Sequence, residues 1–371
     1  MFSRRLPEDL APNALARRRA EHAVAHDLTV SNPTLCDLAY PAELLAPLAD
    51  PEGLRYHPDP QGMASARAAV AATAGVPAQR IVLTASTSEA YALLFKLLAD
   101  PGDTVAHPVP SYPLIEHLAR LEGLVPLQYR LDPDDGWRPD AASVPRGTRA
   151  VVAVSPNNPT GSYLDGESLR ALAAASPALI VDEVFRAFPL DDVPGPSAID
   201  AGPLTFTLGG LSKELGLPQL KLAWIAVSGE PSRVEQAVER LAYLADQYLS
   251  VSTPVQLALP ALLQSARPVR ERIAARCRAN LATLRALARD VPEASVLHAG
   301  GGWTAVLRVP SVLEEESLAL RLLERHGVAV QPGYFFDFPR EGYLVLSLLP
   351  PPDVFGEGSR RLLQEVAKLA R

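Results

Sequence analysis

Lysine is scarce in this chain: Lys96, Lys213, Lys221 and Lys368 are the four in 371 residues, against 31 arginines. Such a bias in an Ala- and Pro-rich composition reflects a GC-rich genome more than a function, yet it makes each lysine worth reading individually. Cysteine is scarcer still. Cys36 and Cys277 stand far apart and support neither a disulfide framework nor a zinc knuckle, so a reducing cytoplasm is the expected location. Long apolar runs are missing. The longest uncharged run, Gln247 to Ala266, carries Gln, Ser, Thr and two prolines, which argues against a membrane span. The N-terminal "MFSRRLPEDLAPNALARRRAEH" has no apolar core of signal-peptide length, so secretion is not expected. A basic excess is also lacking: the net charge of −7 provides no global field for nucleic acid or an anionic membrane. Among motifs, G-x-G-x-x-G, the P-loop, G-x-S-x-G and H-E-x-x-H are all absent, which disfavours dinucleotide enzymes, P-loop nucleotide binding, serine hydrolases and zincins. No metal site is expected.

What is present is ordinary globular material, 48% apolar and 21% charged. At roughly 150 residues per domain the length implies two domains, or one with an appendage. Short β-branched runs, "RIVLT" (80–84), "TVAHP" (104–108), "AVVAVS" (150–155), "ALIVDE" (178–183), "LTFTLG" (204–209) and "LAWIAV" (222–227), alternate with amphipathic stretches such as Ser88–Ala99, Leu114–Glu122 and Gly166–Ala175. This alternation predicts an α/β fold with a mostly parallel sheet covered by helices on both faces. From Pro268 the pattern changes to a long helix (268–290), strand-like segments near 294–298, 303–309, 328–331 and 343–348, and helices near 314–326 and 356–370. The expected division is therefore a large domain over 46–267 and a smaller α+β domain over 268–371 with an N-terminal arm over 1–45.

Ligands of such sheets bind beyond the carboxyl ends of the strands, so the residues there carry the functional information. After "RIVLT" come Ser86 and Thr87 at a helix start, where free N–H groups suit a phosphate; an ordinary helix cap fits equally. After "AVVAVS" come Asn157 and Asn158 between prolines. After "ALIV" comes Asp182, a carboxylate that burial penalises unless it meets a cation. After "LTFTLG" come Ser212 and Lys213, then Lys221, so two of the four lysines lie in one glycine-rich stretch.

In this order the pieces resemble the pyridoxal-phosphate enzymes of the aspartate-aminotransferase superfamily, the fold type I, class I/II aminotransferases. The matching stretches are "YHPDPQG" (56–62), "IVLTASTSEA" (81–90), "PGDTVAHPVPSYP" (101–113), "SPNNPTG" (155–161), "LIVDEVF" (179–185), "LSKELGLPQLKLAW" (211–224), "GGW" (301–303) and "VQPGYFF" (330–336). The resemblance implies a seven-stranded-type sheet and pyridoxal 5′-phosphate as cofactor. It makes Lys213 the lysine of the Schiff base and proton shuttle, Asp182 the partner of the pyridine nitrogen, and Asn158 the donor to the ring oxygen. Tyr112 matches the ring stacked on the cofactor, Ser86 and Thr87 match the phosphate-contacting turn, and Ser212 is implied as a further cofactor-binding residue. Tyr56 matches a tyrosine that reaches the neighbouring subunit's phosphate, implying a homodimer with shared active sites.

The chain departs from the pattern in several places. Lys221 replaces a phosphate-clamping arginine, keeping the charge without the bidentate fork, and Gly210 replaces a phosphate-binding serine. Phe185 stands where relatives carry a tyrosine donor to the ring oxygen, so the Schiff base is expected to keep its proton to higher pH. Val345, in "GYLVLSLLP" (342–350), stands where relatives bind the substrate α-carboxylate with an arginine. Arg340 is the first candidate substitute and Arg186 the second.

The function implied is transfer of an amino group from an amine or amino-acid donor to a keto acid or aldehyde. Two alternatives remain at this stage: a decarboxylase, lyase or biosynthetic cyclase using the same cofactor, and a catalytically quiet binding protein on the same fold.

Overall fold

The computed structural model describes residues 2–370. An N-terminal arm carries α1 (Ala14–Glu21) and the short strand β1 (His26–Asp27). There follow α2 (Ala64–Ala74), β2 (Ile81–Thr84), α3 (Thr87–Leu98), β3 (Thr104–Val109), α4 (Leu114–Leu121), β4 (Val125–Asp132) and β5 (Arg138–Pro139). Then come β6 (Ala150–Val154), α5 (Gly166–Ala174), β7 (Leu179–Asp182), β8 (Leu204–Gly210), α6 (Leu211–Glu214), β9 (Ala223–Gly229), α7 (Pro231–Asp246) and α8 (Thr253–Ser265). The 22-residue α9 (Arg267–Ala288) leads to β10 (Ser295–Val296), β11 (Thr304–Arg308), α10 (Glu315–His326), β12 (Val328–Ala329), β13 (Gln331–Pro332), β14 (Tyr343–Ser347) and α11 (Pro352–Leu369).

The large sheet has the order β2-β9-β8-β7-β6-β3-β4-β5. Neighbours from β8 to β4 run parallel, whereas β9 pairs antiparallel with both β2 and β8. The central strands form because their runs are apolar on both faces: all five residues of β6 are buried. On one face Val152, Ile180, Phe206 and Ile225 pack against Leu94 of α3 and Leu241 of α7. Helix α7 presents Val234, Ala237, Leu241 and Ala245, a spacing of three to four residues that forms one apolar stripe. Each fully buried leucine there contributes about 1.5–3 kcal/mol by leaving water. The other face packs Leu83, Trp224 and Ala226 into a core that continues through α8 and α9 to Leu344, Leu346 and Leu362.

A second, antiparallel sheet has the order β10-β11-β14-β13. The first sheet gains an eighth strand over the seven-stranded type expected, because Arg138–Pro139 pairs antiparallel with β4.

Candidate active site

Strand register brings the expected residues to one edge of the large sheet. Val154 of β6 pairs with Asp182 of β7, and Asp182 pairs with Leu208 of β8. The Ser155 N–H donates to the Asp182 carbonyl at 2.9 Å and the Glu183 N–H to the Leu208 carbonyl at 3.0 Å. The turns bearing Asn158, Asp182 and Lys213 therefore leave the sheet side by side. On the flank, Thr84 of β2 pairs with Ala223 of β9, which pairs with Gly210 of β8. That register places the α3 start, Lys221 and Ser212 at one corner.

Asp182 retains some accessible surface, but the packing around it is dense. Its Oδ1 accepts from the Val184 N–H at 3.1 Å and its Oδ2 from the Tyr91 hydroxyl at 3.2 Å. Burial pushes its carboxyl up to about 6, against the lowering effect of those two bonds and of Lys213. Lys213 is shifted the opposite way. Burial lowers its ammonium, while Asp182 partly restores it. Its Nζ lies 5.3 Å from the Trp303 ring centroid and 5.8 Å from that of Phe185, and those rings meet edge to face at 5.2 Å. An amine with a lowered pKa is neutral, and hence nucleophilic, over a wider pH range.

The asparagine turn is held from several directions. Asn157 is buried: its Oδ1 accepts from the Ser111 hydroxyl at 3.1 Å, and its Nδ2 donates to the Pro110 carbonyl at 3.0 Å. Ser111 precedes Tyr112, whose side chain is 50% exposed. Gly161 has φ +74°, and a Cβ there would come within 2.7 Å of the Gly301 carbonyl oxygen. Only glycine allows this approach, in which the Gly301 N–H donates to the Gly161 carbonyl at 2.9 Å. Thr304 Oγ1 donates to the Pro159 carbonyl at 2.9 Å, so Trp303 is fixed alongside Asn158. Two polar atoms of this region are buried without a partner, Oδ1 of Asn158 and Nε1 of Trp303.

At the corner, Ser86 caps α3 by accepting from the Glu89 N–H at 3.1 Å. The N–H groups of Thr87 and Ser88 in the first turn have no intrahelical acceptor. Lys221 adopts φ +50°, is exposed, and forms no salt bridge among the described residues. A left-handed conformation costs a non-glycine residue roughly 1–2 kcal/mol, so the backbone there is strained to present this side chain. A Cβ on Gly210 would lie 2.9 Å from Ala223 Cβ, which explains why no serine is accommodated at that position without a shift.

The positions weighed for a carboxylate anchor lie apart in the structure. Val345 is fully buried in an apolar cluster with Val306, Phe336 and Tyr343. Arg340 is exposed and donates from Nε to the Tyr343 hydroxyl at 3.1 Å, in a surface hollow with Glu293 and Arg308. Tyr343 pairs with Arg308, while Ser347 pairs with Thr304 beside Trp303, so Arg340 belongs to the far end of β14, about 13 Å along the strand. Arg186 donates to the Gly195 carbonyl at 2.7 Å and lines a separate cavity of about 550 Å³ with Glu183, Thr207 and Glu214. Tyr56 is 74% exposed on a loop tied to β2 by the Leu83 N–H to Gln61 carbonyl bond of 2.9 Å.

The aminotransferase class I and II family matches residues 30–351. The chain belongs to that family. This aminotransferase is 28% identical over 363 residues to the alanine aminotransferase of Mycobacterium tuberculosis, covering 90% of this chain and 84% of that protein. It is 26% identical over 350 residues to the glutamate-pyruvate aminotransferase AlaA of Escherichia coli, covering 88% of this chain and 86% of that protein. Its fold is similar to that of an aminotransferase from Escherichia coli, with a TM-score of 0.87, 23% identity and coverage of 99% and 98% of the two chains. It is also similar to an alanine aminotransferase from Pyrococcus furiosus, with a TM-score of 0.85, 22% identity and coverage of 95% and 94%.

Sequence reading of the aminotransferase missed Tyr91 and the role of Trp303. Tyr91 reads as one more apolar position of an amphipathic helix, and its partner is 91 residues away. The "GGW" stretch was legible as a motif, but the lysine facing its ring was not.

Proposed function

We propose that this aminotransferase uses pyridoxal 5′-phosphate, with Lys213, Asp182 and Asn158 at the reacting end and Ser86, Thr87, Ser212 and Lys221 around the phosphate. The observation that carries the proposal is the convergence, at the carboxyl ends of β6, β7 and β8, of a desolvated lysine, a desolvated carboxylate and an orphaned amide oxygen. These groups fit the cofactor's chemistry. An unpartnered buried oxygen costs about 1–3 kcal/mol, and the Asp182 carboxylate lacks a tight cation, so both favour a ligand that supplies donors. When bound, the cofactor supplies an aldehyde for the amine and a ring that accepts electrons from the substrate Cα.

The remaining work belongs to the protein. Asp182 offers a negative charge to a protonated ring nitrogen. Asn158 would donate from its Nδ2 to the ring oxygen, its Oδ1 remaining an acceptor for a donor on the bound ligand, and Tyr112 would lie against the ring. Lys213 Nζ, as a free amine, would accept a proton from the substrate Cα and donate it to the carbon of the cofactor that bears the amino group, with Phe185 and Trp303 excluding water around it. The start of α3 and Lys221 hold the phosphate by N–H groups and charge.

Amino groups pass, in this reading, from an amine or amino acid to a keto acid or aldehyde; the relatives are named alanine aminotransferase and glutamate-pyruvate aminotransferase. The buried Val345 removes the arginine expected for an α-carboxylate, and this favours donors that are not held by such a group there. It also keeps a decarboxylase or lyase outcome as a second reading, since the anchor selects which Cα bond breaks. Exposed Leu54, Tyr56, Tyr243 and Tyr248 support a homodimer in which Tyr56 reaches the other subunit's phosphate site. We assign 46–267 to a cofactor-binding domain and 1–45 with 268–371 to a smaller one. Both cysteines are free, and no helix among the described residues is long and apolar enough to cross a membrane; a cytoplasmic location fits both observations.

The test is to load the purified protein with cofactor, supply a panel of amines and amino acids with keto acceptors, and identify products by mass spectrometry. Keto or aldehyde product from the donor, with stoichiometric amination of the acceptor, is the expected result. Carbon dioxide or an eliminated fragment without acceptor amination establishes the second reading instead.

A further inference from the structure

We propose that Tyr91 is a positioning residue for Asp182: its hydroxyl holds the carboxylate oriented and ionised for the cofactor. The proposal rests on the cofactor reading above. Tyr91 lies one turn inside α3, the helix whose first turn faces the phosphate corner. Its ring is 3% exposed and tilts against Phe95 at 5.9 Å, and its hydroxyl donates to Asp182 Oδ2 at 3.2 Å. The other carboxylate oxygen takes the Val184 N–H at 3.1 Å. Each oxygen is therefore fixed by one donor, which sets the plane of the carboxylate and leaves lone pairs for a third partner.

The surroundings make this bond consequential. The charged or titratable groups facing Asp182 are Lys213 from α6, Glu183 from the adjoining turn and Tyr91 from α3, with Tyr129 of β4 behind Tyr91. The Tyr129 hydroxyl donates to the Val152 carbonyl at 2.9 Å, so it does not compete. Burial raises the Tyr91 hydroxyl well above its ordinary range, with Asp182 adding to the rise, so it remains a proton donor at every working pH. Lys213 gives up its ammonium charge when it reacts as an amine, and from that moment Val184 and Tyr91 are the internal groups stabilising the carboxylate. An apolar residue would fill the same helix position, and only the hydroxyl reaches Asp182.

The test is the pH dependence of pyridoxal 5′-phosphate affinity, measured by equilibrium dialysis with the cofactor-free wild type and Tyr91→Phe. An Asp182 that is neutral in the free protein must lose its proton to pair with the cofactor, so affinity falls as pH drops below its pKa. Removing one hydrogen bond to a charged acceptor moves that fall upward by about one pH unit. The expected result is a break displaced by that amount, with affinities at pH 9 that agree within about twofold. The cofactor's own titrations are common to both proteins and cancel in the ratio. Introduced into an Asp182→Asn background, Tyr91→Phe is expected to produce no pH-dependent difference. Curves that coincide, or that are offset by one constant factor at all pH values, overturn the proposal. So does a difference that persists in the Asp182→Asn background. A wild type that binds no cofactor at any pH overturns the cofactor reading itself.

Discussion

The Nζ of Lys213 lies 5.3 Å from the centroid of the Trp303 ring, whose own Nε1 is buried without a partner. The relationship is created by glycine: Gly161 and Gly301 approach closely enough to bring the Trp303 strand against the asparagine turn. Two aromatic walls attract the charged amine, and the loss of water around it favours the neutral one. Desolvation dominates, so the lysine is lowered from its ordinary range and primed to react.

Phe185 forms the second wall and carries no hydroxyl, where the resemblance implies a tyrosine. A Phe185→Tyr variant is expected to shift the pH-dependent change in the visible absorbance of the cofactor-loaded protein downward, because the new donor stabilises the ring oxygen anion. Spectrophotometric titration of both proteins checks this. An unchanged midpoint shows that the added hydroxyl does not face the cofactor.

Asp182 is a case of function stored as instability. Its folded pKa is raised to about 6 from 3.8, so folding binds a proton more tightly than the unfolded chain does. The resulting cost is absent well below pH 3.8, small at pH 4, grows up to about pH 6 and is complete above it. Asp182→Asn is therefore expected to stabilise the cofactor-free protein by up to about 2–3 kcal/mol at pH 8 and to leave it nearly unchanged at pH 4. Denaturant unfolding at the two pH values measures the difference, and an equal effect at both contradicts the assignment of a strained carboxylate. The same variant is expected to lose cofactor affinity and most activity.

A Cβ at position 161 meets the Gly301 carbonyl oxygen at 2.7 Å and forces an unfavourable φ of +74°. Gly161→Ala is expected to lower stability by about 1–3 kcal/mol and to weaken cofactor binding, since the turn carrying Asn158 must move away from Trp303. Thermal unfolding together with dialysis separates the two effects. Full retention of both contradicts the view that this contact builds the site.

Much of this was legible in the sequence because the central strands are buried on both faces and the functional residues follow them directly. The run at 150–155 needed no context to read as a strand. β4 was missed because only Tyr129 and Leu131 of its eight residues are buried, leaving little alternation to detect. α2 was missed because "ASARAAVAATA" offers almost no contrast between its faces. Arg340 is near Val345 in sequence, yet its side chain bonds Tyr343, at the end of β14 opposite to the Ser347–Thr304 pair, and sequence distance does not convey this. The Tyr91 to Asp182 bond joins elements separated by four strands and two helices in the chain, and no spacing rule encodes it.

Val345 gives the strongest departure a direct check. Its side chain is fully buried among apolar neighbours, so Val345→Arg inserts an unpaired cation and is expected to cost several kcal/mol, about 3–5 by analogy with broken buried pairs. A marked fall in Tm, with no gain for carboxylate-bearing donors, is expected. A stable variant with improved turnover of α-amino acids shows instead that the position opens onto the substrate.

The decisive measurement concerns the lysine. Borohydride reduction of the cofactor-loaded protein, followed by digestion and mass spectrometry, locates any covalent pyridoxyl adduct among Lys96, Lys213, Lys221 and Lys368. The expected result is one adduct per chain on Lys213, lost in Lys213→Arg. An adduct on another lysine, or none at all, contradicts the assignment of this site.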